Sequence, residues 1–299
     1  MLSLQHQVFM EVARQLSFTK ASQTFFLSQS AISKQIKSLE AYYKTGLFER
    51  HGTSVSLTEA GKLLYEKLLQ ATQLQHELQQ AMHEINESFL PATRLSVGAS
   101  TTISLYVLPP VLSAFLRQHS AMQISVLNRN STNIQKALLQ HEIDVGIVES
   151  ENRLNTISYT PFMTDEVIAV CSANSPLRTR TLTVDDLPAT PLALRETGSG
   201  TLAAVEASLK KQKVDLAGLP IRIRLGGTEA LKNFVLADTC LSFLPRLAIL
   251  HELDRGTLVE VPVKGLSIQR QFHFIQRKGT ENNPWTNAFI RATRHFYSI

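Results

Sequence analysis

Cysteine is nearly absent. Cys171 and Cys240, the only two in 299 residues, stand in apolar surroundings without CxxC or Cys/His spacing, so both read as buried thiols and no structural metal is implied. Long apolar runs are missing too: no stretch reaches the roughly eighteen residues of a membrane span. The opening MLSLQHQVFMEV breaks any signal-peptide pattern with Gln, His and Glu, so a cytoplasmic location is expected. There is no P-loop, no GxGxxG following a strand and no GxSxG, which removes the usual phosphate cradles and the nucleophile elbow; no cofactor and no enzymatic activity are expected.

What is present suits a folded chain of two or three domains, since the length exceeds what one core organises and 43% of the residues are hydrophobic. The net charge of +5 is unevenly spread. Residues 1–57 hold Arg14, Lys20, Lys34, Lys37, Lys44 and Arg50 against Glu11, Glu40 and Glu49, a net +3 that points to a polyanionic partner for this segment.

Leu4, Val8, Phe9, Val12, Ala13 and Leu16 recur at helical spacing and predict a first helix. SFTKASQTFF predicts a second, capped by Ser17 or Thr19, with the small Ala21 allowing close approach, and Ser28 caps a third through SQSAISKQIKSLE. This is a helix-turn-helix. Ile32, Ile36 and Leu39 fall on one side of the third helix, Ser30, Ser33, Lys34 and Lys37 on the other. A solvated face is the ordinary reading of such a side. Against it, Ser28 and Gln29 occupy the first turn, where N–H groups favour a phosphate oxygen. The serines also keep the helix slim enough for a major groove about 12 Å wide, and Gln29 can pair bidentately with an adenine edge.

FTKASQTFFLSQSAISKQIKSLE and LFERHGTSVSLTEAGKLLYE resemble the winged helix-turn-helix of LysR-type transcriptional regulators, following their A…SQ-A-S-I-LE…LFER…LT-AG pattern almost throughout. The resemblance implies that Ser28 to Tyr42 is the recognition helix, that Arg50 grips the DNA backbone, and that His51 to Leu57, Thr53 included, forms a wing beside the minor groove. The expected DNA contacts are therefore Ser28, Gln29, Ser30, Ser33, Lys34, Lys37, Arg50 and Thr53. Lys44 stands where the family usually has Gly, as do Asp238 and Cys240 further on.

From Thr58 the chain runs to about Glu87 without Pro, and Leu64, Leu68, Ala71, Leu74, Leu78, Ala81 and Ile85 form a seam at spacings of three and four. Thirty residues of helix span about 45 Å, more than a domain of sixty residues can cover, so pairing with a second copy is expected, with two recognition helices on an interrupted inverted repeat in double-stranded DNA. The resemblance adds a tetramer, and RNA polymerase is a further candidate partner.

After PATR, strand and helix patterns alternate: RLSVGAS, LPPVLSAFLRQ, MQISVLN, NIQKALLQHE and DVGIV, then EVIAVCS, TLAAVEASLKKQ, PIRIRLGG, TEALKNFVLAD, TCLSFLP, FHFIQRKG and NPWTNAFIRATRHFY. The alternation predicts a parallel α/β sheet. The expected fold class is an N-terminal all-α winged helix-turn-helix, a long linker helix and, by the resemblance, a C-terminal α/β two-lobed periplasmic-binding-protein-like domain. The boundaries read as 1–58, 59–90 and 91–299, with lobe I at about 91–161 and 268–299 and lobe II at about 162–267.

Four strand-to-helix turns carry hydroxyls: Ser100, Thr101 and Thr102; Ser131 and Thr132; Ser199 and Thr201; and Thr228. Each alone is an N-cap. Together they lie where open α/β sheets bind ligands, and helix N-termini there favour a small anion, with Gly198 and Gly200 letting backbone approach it. The resemblance places its inducer pocket on these turns and adds Glu149, whose carboxylate can hold an ammonium, so a small anion and an amino acid both stay open. The function expected is a sequence-specific DNA-binding regulator whose C-terminal domain senses a small-molecule effector. A hydrolase built on Ser199 and a transport solute-binding protein are the rival readings.

Overall fold

The computed structural model describes residues 2–25, 27–51, 54–85, 94–149 and 153–298. The chain divides into two compact units, Met1–Pro91 and Ala92–Ile299.

In the first unit, α1 (Leu4–Gln15) is capped by Ser3, α2 is Phe18–Phe25, and α3 (Gln29–Tyr43) is capped by Ser28, whose Oγ accepts from Ala31 N–H at 3.2 Å. The strands β1 (Phe48–His51) and β2 (Ser54–Leu57) form an antiparallel hairpin, and α4 spans Glu59–Ile85. Apolar side chains from every helix meet in one core: Val8, Phe9 and Val12 from α1, Ala21 from α2, and Ile32, Ile36 and Leu39 from α3. Phe48 of the wing stacks against Phe9 and Phe18. Glu40 fixes the entry to the wing, its carboxylate accepting from Leu47 N–H at 2.8 Å. Ala21 is fully buried, as a close helix crossing requires.

The seam of α4 divides into two parts. Leu68 is buried in this core and Ala60, Leu64 and Tyr65 pack against it, so the first turns lie on their own domain. Leu74 and Leu78 are exposed, at 66% and 61%, and have left it. The side chains of Ala81 and Ile85 lie outside the described residues.

Lys44 ends α3 in the left-handed region, φ 53° and ψ 35°, and its N–H reaches Glu40 O. A lysine thus occupies a conformation glycine adopts freely, at a cost of about 1 kcal/mol. Lys44→Gly is expected to raise the stability of this unit by about that much, read as a higher chemical-denaturation midpoint by circular dichroism.

The second unit is built on a nine-stranded sheet. Its first part comprises β3 (Arg94–Ala99), α5 (Leu108–Gln118) after a π-helical turn at Ile103–Val107, β4 (Gln123–Asn128), α6 (Ser131–Leu139), β5 (Val145–Glu149) and the long β6 (Ile157–Ser172). Then come β7 (Leu182–Thr183), β8 (Leu192–Arg195), α7 (Gly200–Lys211), β9 (Ile221–Leu225), α8 (Thr228–Ala237), β10 (Leu241–Pro245), α9 (Leu250–Asp254), β11 (Leu258–Glu260), β12 (Val263–Lys264), β13 (Ile268–Arg277) and α10 (Pro284–Phe296). The order across the sheet is β4-β3-β5-β13-β6-β10-β8-β9, with β11 also on β6 and β12 paired separately with β7.

The expected all-parallel sheet needs correction. The trios β4-β3-β5 and β10-β8-β9 are parallel, but β13 and β6 between them pair antiparallel with each other and with their neighbours. These two strands carry the chain from one lobe to the other and back. Sequence patterning found only the second half of β6 because Pro161 interrupts ISYTPFMT. Pro161 sits where the β13 register shifts between Gln271 and His273, a place where a strand tolerates proline. PLALR, the strand β8, was also absent from the sequence pattern. Helices cover both faces: α5 and α10 pack over Val97, Ile147 and Phe274 with α6 opposite over Val148 and Ile275, and α7 packs over Val167, Leu194 and Phe243 with α8 opposite over Ile168, Val170 and Ala193.

His141 follows α6 at φ 57°. Its imidazole is pushed down to about 4, first by burial and then by the Arg277 charge. Because the folded pKa lies below that of the unfolded chain, the neutral form stabilises the fold and that stability is lost as pH falls from 6.5 toward 4. His141→Phe is expected to flatten this acid sensitivity by on the order of 1–2 kcal/mol, measured as urea midpoints at pH 7 and pH 4.5.

Candidate functional site

The third helix of the first unit shows what its sequence spacing demands. Ile32, Ile36 and Leu39 are at most 3% exposed, whereas Ser28, Gln29, Ser30, Lys34 and Lys37 are exposed and Ser33 is half-buried. Ser28 Oγ meets Ser30 Oγ at 2.9 Å, so the first turn presents a hydroxyl pair beside Gln29. Gln5 donates to Ser38 Oγ at 3.0 Å and His6 Nε2 meets the Tyr43 hydroxyl at 3.0 Å, which ties the end of α3 to α1. Thr53 and the side chain of Arg50 lie outside the described residues. A slim, basic, hydroxyl-bearing ridge held on a rigid three-helix core is shaped for a DNA groove.

In the second unit a cavity of about 470 Å³ opens between the first turns of α6 and α7. Ser131, Thr132, Glu149, Gly198, Ser199 and Gly200 line it, together with Asn130, Gln135, Lys136 and Glu206. Asn130 caps α6 by accepting from Asn133 N–H at 3.0 Å, and Ser199 caps α7 by accepting from Leu202 N–H at 3.5 Å. Thr132 N–H donates to Gly198 O at 3.3 Å, so the two helix starts touch. The N-cap reading therefore holds for Ser199 alone among the predicted hydroxyls. Asn130 and Gly227 take that place on α6 and α8.

Glu149 does not face the cavity as a free carboxylate. Ser131 Oγ donates to one of its oxygens and Arg270 Nη1 to the other. The Arg270 guanidinium also donates to Thr201 Oγ1 at 2.9 Å and to Asp165 at 2.6 and 2.9 Å, and its carbon lies 4.6 Å from the Phe272 ring centre. All five polar groups are buried. Gly200 explains how Glu149 reaches this position: a Cβ there would lie 2.5 to 2.7 Å from its side chain. Gly198 turns at φ +89°, a conformation that β-carbons disfavour.

Thr228 is fully buried but does not line the cavity. It accepts from Arg195 Nη1 at 2.7 Å, and Arg195 forks onto Glu196 at 2.8 and 3.0 Å. Burial pushes the Glu196 carboxyl up, but the Arg195 bonds outweigh it and hold the pKa below the usual carboxylate value. Asn130 donates to the same carboxylate at 3.3 Å, which links Thr228 to the cavity rim. Ser100, Thr101 and Thr102 are not brought to the wall either. Ser100 Oγ and Thr102 Oγ1 are buried and unpartnered.

Sequence reading missed Arg270, Asp165, Arg195 and Asn130. One signal existed: Ile268, Arg270 and Phe272 share parity on β13, and an arginine between two core positions must be buried and paired. Among the described residues no group of His, Cys, Asp or Glu can hold a metal ion, and no helix is long and apolar enough to cross a membrane.

Two family models match the chain, a bacterial regulatory helix-turn-helix protein of the lysR family over residues 4–62 and a LysR substrate binding domain over residues 90–297. The chain belongs to the LysR family. It is 33% identical over 259 residues to a protein of Escherichia coli (strain K12) named as an uncharacterized HTH-type transcriptional regulator, YeiE, covering 87% of this chain and 85% of that one. Full-length CbnR, solved in complex with its target DNA, aligns over 99% of both chains at 21% identity and a TM-score of 0.64. The regulatory domain of CcmR from Synechocystis PCC6803, solved with 2-PG, aligns over 68% of this chain and 97% of that domain at 23% identity and a TM-score of 0.61.

As a LysR-family member the protein is a DNA-binding transcriptional regulator with an effector-binding domain, and the relatives it matches are named regulators rather than enzymes. Its departures from the family pattern do not disturb the fold. Lys44 keeps the left-handed helix end despite its side chain. Asp238 is extended, φ −119°, and its carboxylate accepts from Thr239 N–H at 2.7 Å and Cys240 N–H at 2.9 Å, so that turn needs no glycine. Cys240 is buried, its thiol pushed up to about 12 by burial and by Asp238.

Proposed function

We propose that the effector of this LysR-family regulator is a small oxyanion bound at the starts of α6 and α7, and that its binding alters how the protein sits on DNA. The observation that carries this is the convergence of two helix N-termini on one cavity whose buried carboxylate, Glu149, is already held by Arg270 and Ser131. First-turn N–H groups lack intrahelical partners and favour negative charge. An ammonium would have to displace Arg270 from Glu149, which weighs against an amino acid held there. Glu206 and Lys136 are on exposed parts of the wall, where water screens them. The CcmR domain with 2-PG supports a small-molecule site in this fold.

In this reading residues 1–58 bind DNA, 59–90 pair two copies through the exposed Leu74 and Leu78, and 91–299 bind the effector, in the cytoplasm. Ser28, Gln29, Ser30, Ser33, Lys34 and Lys37, with Arg50 and Thr53 of the wing, meet an interrupted inverted repeat, and paired dimers form a tetramer. The CbnR–DNA complex supports the use of this fold on DNA.

Thermal melting of the full chain with sulfate, phosphate, acetate and oxalate, and separately with neutral amino acids and alkylammonium salts, tests the effector reading. An oxyanion is expected to raise the midpoint with the logarithm of its concentration and to change the footprint on promoter DNA. Stabilisation by ammonium compounds alone would overturn it.

A further inference from the structure

We infer that Gln135 is a ligand-contacting residue that sets which oxyanion the cavity accepts, its carboxamide donating to a ligand oxygen turned away from the helix ends. The inference rests on the oxyanion reading of the cavity. Gln135 stands one turn beyond Ser131 on the same face of α6 and lines the cavity. It is 8% exposed, yet among the described residues its carboxamide makes no hydrogen bond.

Neither amide atom of Gln135 is among the fully buried atoms left without a partner, so the amide meets the open space of the cavity it lines. Among the described residues no side chain of the wall, Thr132, Asn133 and Thr197 included, hydrogen-bonds to Gln135. Leu202 and Ala203 opposite are apolar, and Ser131 and Glu149 are engaged with each other and with Arg270. Lys136 and Glu206 are exposed residues of the wall. What pairs with the amide must therefore come from the cavity itself. A carboxamide carries two N–H donors and one oxygen acceptor. The helix starts draw negative charge to the floor, so the donors are the half of the amide a ligand oxygen meets. Helix N–H groups engage whichever oxygens face the floor. Gln135 meets an oxygen on another side, and this makes it sensitive to the shape of the anion rather than to its charge.

The test uses the full chain and four probes, sulfate, phosphate, acetate and oxalate, titrated calorimetrically into the unsubstituted protein, Gln135→Leu and Gln135→Glu. The anion that binds the unsubstituted protein best is expected to bind Gln135→Leu about tenfold more weakly and Gln135→Glu more weakly still, and the order of preference among the four should change. Without anion, Gln135→Leu should melt no lower than the unsubstituted protein. Unchanged affinities in the same order would overturn the inference while leaving the oxyanion reading intact. Should Gln135→Leu fail to fold, Gln135→Met, which keeps the length of the side chain, gives the same expected loss and the same refuting result. If none of the four anions binds the unsubstituted protein, the oxyanion reading fails and this inference with it.

Discussion

Arg270→Met is expected to destabilise the second unit by about 3–5 kcal/mol, the largest effect of any single change considered. The guanidinium donates to Glu149, Asp165 and Thr201 in a site where all of them are buried. Without it two carboxylates face each other out of water, and the cost comes from leaving them unpaired more than from the bonds lost. Trp285, the chain's one tryptophan, is partly buried against the core of this unit, so its fluorescence during urea unfolding reports the change. Adding Glu149→Leu and Asp165→Leu to Arg270→Met should recover most of the loss, because an apolar cluster needs no compensation. A midpoint for Arg270→Met within experimental error of the unsubstituted protein would show that the network stabilises nothing.

Gln29→Ala is expected to weaken binding to the cognate site by about 1–3 kcal/mol while scarcely changing binding to unrelated DNA. Lys34→Ala should behave differently, weakening both equally and lowering the slope of log K against log salt by about one unit. The contrast follows from position: Gln29 is in the exposed first turn of α3, where the proposed docking brings an amide to base edges, while Lys34 is exposed further along the helix, where the same docking sets its charge against phosphates. Anisotropy titrations on cognate and scrambled duplexes at two salt concentrations separate the two roles. Equal losses on both duplexes for Gln29→Ala would remove it from the base-reading set.

The first unit was largely legible because its contacts are local. Ile32, Ile36 and Leu39 announce a buried face by spacing alone, and the opposite face follows from the same period. Ser17, Ser28 and Thr58 act within three residues of themselves, so capping there needed no knowledge of the rest of the chain. What spacing could not supply is where the apolar stripe of α4 leaves its own domain. One apolar stripe serves the core of its own domain as far as Leu68 and faces outward at Leu74 and Leu78, and only the size of the domain decides where it changes.

The second unit was legible in class but not in site. Hydroxyls at strand ends marked one edge of the sheet, and Ser131, Thr132, Ser199 and the two glycines meet there at one cavity. Ser100, Thr102 and Thr228 do not, although their local sequence looks the same.

Sequence alone determined the helical period of α3, the caps at Ser28 and Ser199, the alternation of strand and helix, and which chemical groups each turn carries, because these depend on residues a few positions apart. Only the tertiary structure decided which turns face each other, that β6 and β13 run antiparallel through the middle of the sheet, and that Arg270 holds Glu149 from 121 positions away. Strand order sets these neighbours, and it is fixed by the packing of two apolar faces under helices, a sum over the whole unit that no single segment records.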